Sequence, residues 1–234
     1  VYILYYHMLQ KVVLERLSKL AEPDYVGKME HFGIKLEKAW GIRTPKLRAL
    51  AKEIGKNQEL SEELWQNPYH EAKLLAIFLM EPKKLTEDLM DQMVTDLYSW
   101  DLVDQFCTPF AKKPWTWEKA MLWSREEAEF TKRAGFVLVV AMSIHDKKMP
   151  DERLAPFFQR MEEEAWDNRN FVKKAVNWAL RTLGKRSLAL HPQAIACAER
   201  ILLQDTPAAR WIAKDALREL KGEKVIERLR KKGR

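Results

Sequence analysis

Three stretches of this chain echo one another at an interval of about forty residues, and that interval narrows what the chain can fold into. Thr131-Lys-Arg-Ala134-Gly-Phe-Val-Leu138, Val172-Lys-Lys-Ala175-Val-Asn-Trp178-Ala-Leu180 and Arg210-Trp-Ile-Ala213-Lys-Asp-Ala-Leu217 each place a basic residue shortly before a small one. The small residues are spaced by 41 and 38. A repeat of that length holds two helices, and the second helix of each unit, small where it packs closely, lines the inner wall of a stack. Apolar residues recur at helical spacing almost throughout, without a convincing run of strict apolar–polar alternation, and glycine is scarce at 8 residues. Breaks fall at Pro23, from Gly41 to Pro45, and at Pro68, Pro82, Pro114, Pro150, Gly184, Pro192, Pro207 and Gly222. They predict about a dozen helices of roughly 8 to 18 residues, with Thr44-Pro45 as a cap and first-turn pair. The pattern predicts an all-α fold, a single-domain superhelical solenoid of helix pairs over residues 1–234.

The period falls in the HEAT or armadillo range. Lys and Arg total 41 against 34 Asp and Glu, a net charge of +7, with a pI near 9.3. That excess suits a polyanionic partner. Half of residues 221–234 are Lys or Arg, either a loose nucleic-acid tail or a solvated terminal helix. The two cysteines, Cys107 and Cys197, lie far apart without CxxC spacing, so neither a disulfide framework nor a zinc site is implied and a reducing compartment fits. No apolar run approaches the roughly 18 residues of a membrane span. The start lacks a basic leader and cleavage site, and His7-Met8 reads as a cloning junction with residues 1–7 non-native. A cytoplasmic chain is expected.

The segment from Phe171 to Gly184 is the most informative helix. At about 100° per residue, Val172, Ala175, Val176, Ala179 and Leu183 form a core stripe, while Lys174, Trp178, Arg181 and Lys185 form a second stripe nearly opposite. An indole among cations on a solvated face fits a surface that meets a phosphodiester backbone and something flat or electron-poor. The alternative is that Trp178 wedges beneath the next helix pair.

Ser99-Trp100-Asp101-Leu-Val-Asp104-Gln-Phe-Cys107 opens another helix, with Ser99 as a cap. Leu102, Val103, Phe106 and Phe110 form its apolar stripe, and Trp100, Asp104 and Cys107 share a different face. Asp101, in the first turn, suits the helix dipole and takes a structural role. Residues 130–142 are apolar on nearly every side, so Arg133 within them either emerges on a groove wall or pairs with a carboxylate. The five histidines are isolated, without HExxH or triad spacing, and read as surface or satisfied side chains; neither a Walker loop nor GxGxxG occurs.

Four motifs, in order and at suitable intervals, carry a resemblance: Gly41-Ile-Arg-Thr-Pro45, Ser99-Trp100-Asp101-Leu-Val-Asp104, Lys132-Arg133-Ala134 and Trp178-Ala-Leu-Arg181. The chain resembles the HEAT-like DNA alkylation repair proteins, the bacterial alkylpurine DNA glycosylases of the AlkD type, from about Trp40 to Gly184 and more loosely to both ends. The resemblance implies that Trp100 and Asp104 are catalytic, that Trp178 is a second aromatic wall of the catalytic site, and that Arg133 and Arg181 hold DNA phosphates. Lys174 and Lys185 extend the DNA-binding row. It also implies action on double-stranded DNA with alkylated bases and a lesion left stacked, although many base-modifying enzymes flip their target; a monomer is expected, and release of a purine that is already cationic requires no metal or organic cofactor. Phe106-Cys107 and the lysine-rich stripe depart from the best-studied type. The rival expectations are a non-catalytic DNA-binding solenoid and a protein scaffold with a basic face.

Overall fold

The computed structural model describes residues 2–34 and 36–233. Val1, Lys35 and Arg234 lie outside the described residues, as do the side chains of residues 2–7 and Lys232; the side chains of the segment expected to be non-native and part of the basic tail fall there. Among the described residues the fold is all-α, with fifteen helices and one isolated backbone bridge between Lys38 and Tyr69. The chain divides into two compact units, residues 1–109 and 110–234.

The first unit is built around α5 (His70–Leu79), whose residues are buried on almost every side. Against it pack α1 (Tyr2–Lys19), α3 (Thr44–Ile54) and α4 (Gln58–Trp65). Asn57 starts α4 by accepting the Leu60 N–H at 3.0 Å, which satisfies an orphan donor of the first turn. The start of α3 differs from the expected cap. Thr44 is already helical, Arg43 sits at the cap position, and no side chain there bonds the backbone. The turn before α3 is instead held by Glu71 of α5, fully buried, whose carboxylate accepts the N–H groups of Trp40, Gly41 and Ile42 at 3.0, 2.7 and 3.0 Å. Gly41 is required in that turn. Its φ is +77°, and a Cβ there would lie 2.2 Å from the Glu22 carbonyl oxygen.

In the second unit, α9 (Glu129–His145), α12 (Asn170–Gly184) and α14 (Pro207–Leu220) lie in a row, with α12 packed against both others. These are the three echoing segments. Ala134, Ala175 and Ala213 are all fully buried, which is why the repeat keeps a small residue at that register. The shell comprises α8 (Thr116–Trp123) against α9, α11 (Phe157–Glu164) against α12, and α13 (Leu190–Leu202) against α11, α12 and α14. Val172, Ala175, Val176, Ala179 and Leu183 are all fully buried, as the helical period predicts. Gly184 closes α12 where a Cβ would lie 2.6 Å from Leu220 and 2.8 Å from Ala194, so glycine there permits the close approach of α13 and α14. Among the described residues no helix is long and apolar enough to cross a membrane.

Candidate functional site

In the first unit the candidate residues sit on α7 (Trp100–Phe110). Leu102, Val103, Phe106 and Phe110 are fully buried, and this apolar stripe sets the rotation of the helix. Trp100 and Asp104, one turn apart and off the stripe, are each half-buried. The indole is fixed because its Nε1 donates to the Phe32 carbonyl at 3.0 Å. Cys107 departs from expectation. It shares the angular position of Trp100 but is fully buried, because packing closes over that face in the second half of the helix. Thr108 is the exposed residue there, and its hydroxyl donates to the Asp104 carbonyl at 3.3 Å.

The N-terminus of α7 is anchored by a network that the sequence does not reveal. His70, fully buried, donates from Nε2 to Asp101 at 2.8 Å, and the Tyr98 hydroxyl donates to its Nδ1 at 2.9 Å. Ser99 stands at the start of α7, where its carbonyl accepts the Val103 N–H at 3.1 Å and its hydroxyl donates to Asp101 at 2.7 Å. Burial works to raise the Asp101 pKa, yet the hydrogen bonds from His70 and Ser99 outweigh it and hold the carboxyl below the usual carboxylate range. Asp101 is thus structural, as its first-turn position suggests, but through a buried histidine. His70 is a satisfied core histidine, and with Asp101 it positions the helix that presents Trp100 and Asp104.

In the second unit, Lys174 is exposed while Trp178, Arg181 and Lys185 are half-buried, so the stripe opposite the α12 core stays in contact with solvent. Arg181 and Lys185 both bond Glu219 of α14, and Arg181 Nε lies 3.6 Å from Asp215. Burial would raise the Glu219 pKa, but the bonds from Lys185 and Arg181 lower it. The cation row is therefore partly neutralised and held in register by acids from the neighbouring helix. Arg133 is only 5 % exposed, and its Nη1 donates to the Phe171 carbonyl at 2.8 Å, tying α9 to the start of α12. Beside it, Lys132 pairs with Glu164 at 2.8 Å and lies 5.3 Å from the centre of the exposed Trp166 ring. Sequence reasoning missed Glu71, His70, Asp215 and Glu219. A signal existed for Glu71 alone: a carboxylate opening a helix that is otherwise apolar needs buried donors to satisfy it.

Comparison with known proteins adds family and fold. The sequence profile described as "DNA alkylation repair enzyme" matches residues 13–229. One solved structure, described as a new family of proteins related to the HEAT-like repeat DNA glycosylases with affinity for branched DNA structures, superposes with a TM-score of 0.74. It is 21 % identical, over 89 % of this chain and 94 % of that one. No curated protein matches the chain. The fold is therefore that of the HEAT-like repeat proteins.

Proposed function

Since the chain belongs to the DNA alkylation repair enzyme family, we propose that it is a DNA glycosylase that releases N3- and N7-alkylated purines. The observation that carries this reading is Asp104, a half-buried carboxylate one turn from an indole pinned by its own N–H, both off the apolar stripe of α7. A purine alkylated at N3 or N7 is cationic and leaves without protonation. When the glycosidic bond breaks, its electron pair departs with the base, which becomes neutral, and positive charge grows on the deoxyribose. The Asp104 carboxylate stabilises that charge, orients water towards C1′ and accepts a proton as water adds. The face of Trp100 contributes cation–π attraction on the order of 0.5–2 kcal/mol where water is excluded, and Trp178 offers the same chemistry. Lys174, Arg181 and Lys185 hold phosphates and fix register without reading sequence. Arg133, which is 5 % exposed and donates one of its five N–H groups to the Phe171 carbonyl, holds a phosphate near the start of α12 in this reading.

A second reading is favoured by the solved relative, described as having affinity for branched DNA: the same surfaces bind DNA without cleaving it. Incubation with duplex DNA containing 7-methylguanine separates the two. The glycosylase reading expects free 7-methylguanine and abasic sites that accumulate with protein concentration. Tight binding without released base would leave the non-catalytic reading standing.

A further inference from the structure

The first unit carries a second surface that the glycosylase reading leaves unused. Beside α3, α5 and α7 lies an open groove of about 530 Å³, lined by Arg48, Lys52, Lys56, Phe78, Gln105 and Thr108 over an apolar floor. Its lining holds three cations and no carboxylate, so the complementary occupant is an anion. The volume is in the range that holds one small molecule, far too small for a duplex.

Arg48 supplies more than charge. Its guanidinium lies 4.7 Å from the centre of the Phe78 ring, and its Nη2 donates to Gln105 at 2.7 Å. The residue is nevertheless exposed to solvent. A guanidinium fixed on a ring by one face and by one edge presents a flat cationic plate, and such plates stack on nucleobases. Lys52 follows one helical turn later, and Lys56 is held at the rim by donating to the Phe78 carbonyl at 2.9 Å. Thr108 places the groove one turn along α7 from Asp104.

We propose that this groove holds an unpaired nucleotide of single-stranded DNA, its base stacked on Arg48 and its phosphates on Lys52 and Lys56. The proposal rests on the DNA-binding part of the reading above and extends it to DNA with an unpaired strand beside a duplex.

The test is fluorescence anisotropy on the full chain with three labelled probes: a blunt duplex, the same duplex with a five-thymine flap, and the same flap with abasic sugars. The thymine flap is expected to bind about fivefold or more tightly than the abasic flap, the least that one stacked base supplies. The double variant Lys52→Ala/Lys56→Ala is expected to lose the flap advantage and to flatten the salt slope on the flap by about 1.4, two phosphates at roughly 0.7 each. Its affinity for the blunt duplex should be unchanged. Arg48→Lys, which keeps the charge and removes the plane, should abolish the preference for thymine over abasic flap. Equal binding of the two flaps overturns the proposal, as does equal weakening on blunt duplex. Displacement of the flap by polyglutamate as readily as by a thymine oligonucleotide would assign the groove to acidic peptides. If the unmodified protein binds blunt duplex without flap preference, the groove proposal fails alone; if it binds none of the probes, the DNA-binding reading fails with it.

Discussion

Changing Glu71 to glutamine should loosen the turn that launches α3. The two carboxylate oxygens divide three backbone donors: one accepts from Trp40 at 3.0 Å, the other from Gly41 at 2.7 Å and Ile42 at 3.0 Å. Glutamine keeps one acceptor oxygen, enough for the Gly41 and Ile42 bonds, but turns its NH2 towards the Trp40 N–H. One donor is then left unsatisfied at a cost of about 1–3 kcal/mol, and the two remaining bonds lose the strengthening that an ionised acceptor supplies. The sum is about 2–4 kcal/mol. For a chain of this size each kcal/mol moves the melting temperature by roughly 2–4 °C, so circular dichroism should record a fall of about 5–15 °C. Glu71→Ala, which strands all three donors, should fall further. Amide exchange of residues 40–42 should lose its protection in both variants, which ties the loss to the turn itself. A Glu71→Gln protein within about 0.5 kcal/mol of the unaltered one, a margin ordinary for surface changes, would refute this assignment of the carboxylate.

Four other outcomes follow from charge and burial. Asp101 has a folded pKa below its unfolded value near 3.9, so its contribution to stability is present above about pH 4 and is lost as pH falls through the lowered value. The gap in denaturant midpoint between the unaltered protein and Asp101→Asn should therefore be full at pH 7 and shrink towards pH 3; a gap that grows on acidification would contradict the His70–Asp101 pairing. Glu219→Gln frees Arg181 and Lys185 from a competing carboxylate, and should raise affinity for any duplex sequence and steepen its salt dependence. Arg181→Ala should do the reverse, flattening the slope by about 0.9, and unchanged slopes in both would return Trp178 to a packing role. Burial pushes the Cys197 thiol pKa up, and Cys107 is as deeply buried, so a thiol reagent should modify both only after denaturation; rapid labelling of the folded protein would contradict that packing.

The helices were legible in the sequence because their information is local. The period of the α12 apolar stripe, the closing Gly184 and the recurring small residues at 134, 175 and 213 all report on neighbours within one or two turns, and their burial matches. The same logic placed Trp100, Asp104 and Trp178 off the core, where each is half-buried. It failed where a contact spans repeats. Glu71 meets its donors about thirty residues earlier in the chain, His70 meets Asp101 about as far downstream, and Arg181 meets Glu219 across 38 residues. Helical periodicity gives an angle on a helix and not what lies across from it. Cys107 is the clearest case: the angle was right, and the neighbour that covers it was invisible.

The most direct test of the central claim is the single-turnover rate of 7-methylguanine release by the unaltered protein and by Asp104→Asn. The substitution keeps the shape of the side chain and removes its charge, so the rate should fall tenfold or more, equivalent to about 1.4 kcal/mol or more of lost transition-state stabilisation. DNA affinity measured on the same preparations should hardly change, because a carboxylate repels phosphates rather than holding them. Base release by Asp104→Asn at the rate of the unaltered protein would contradict the account and remove Asp104 from the chemistry.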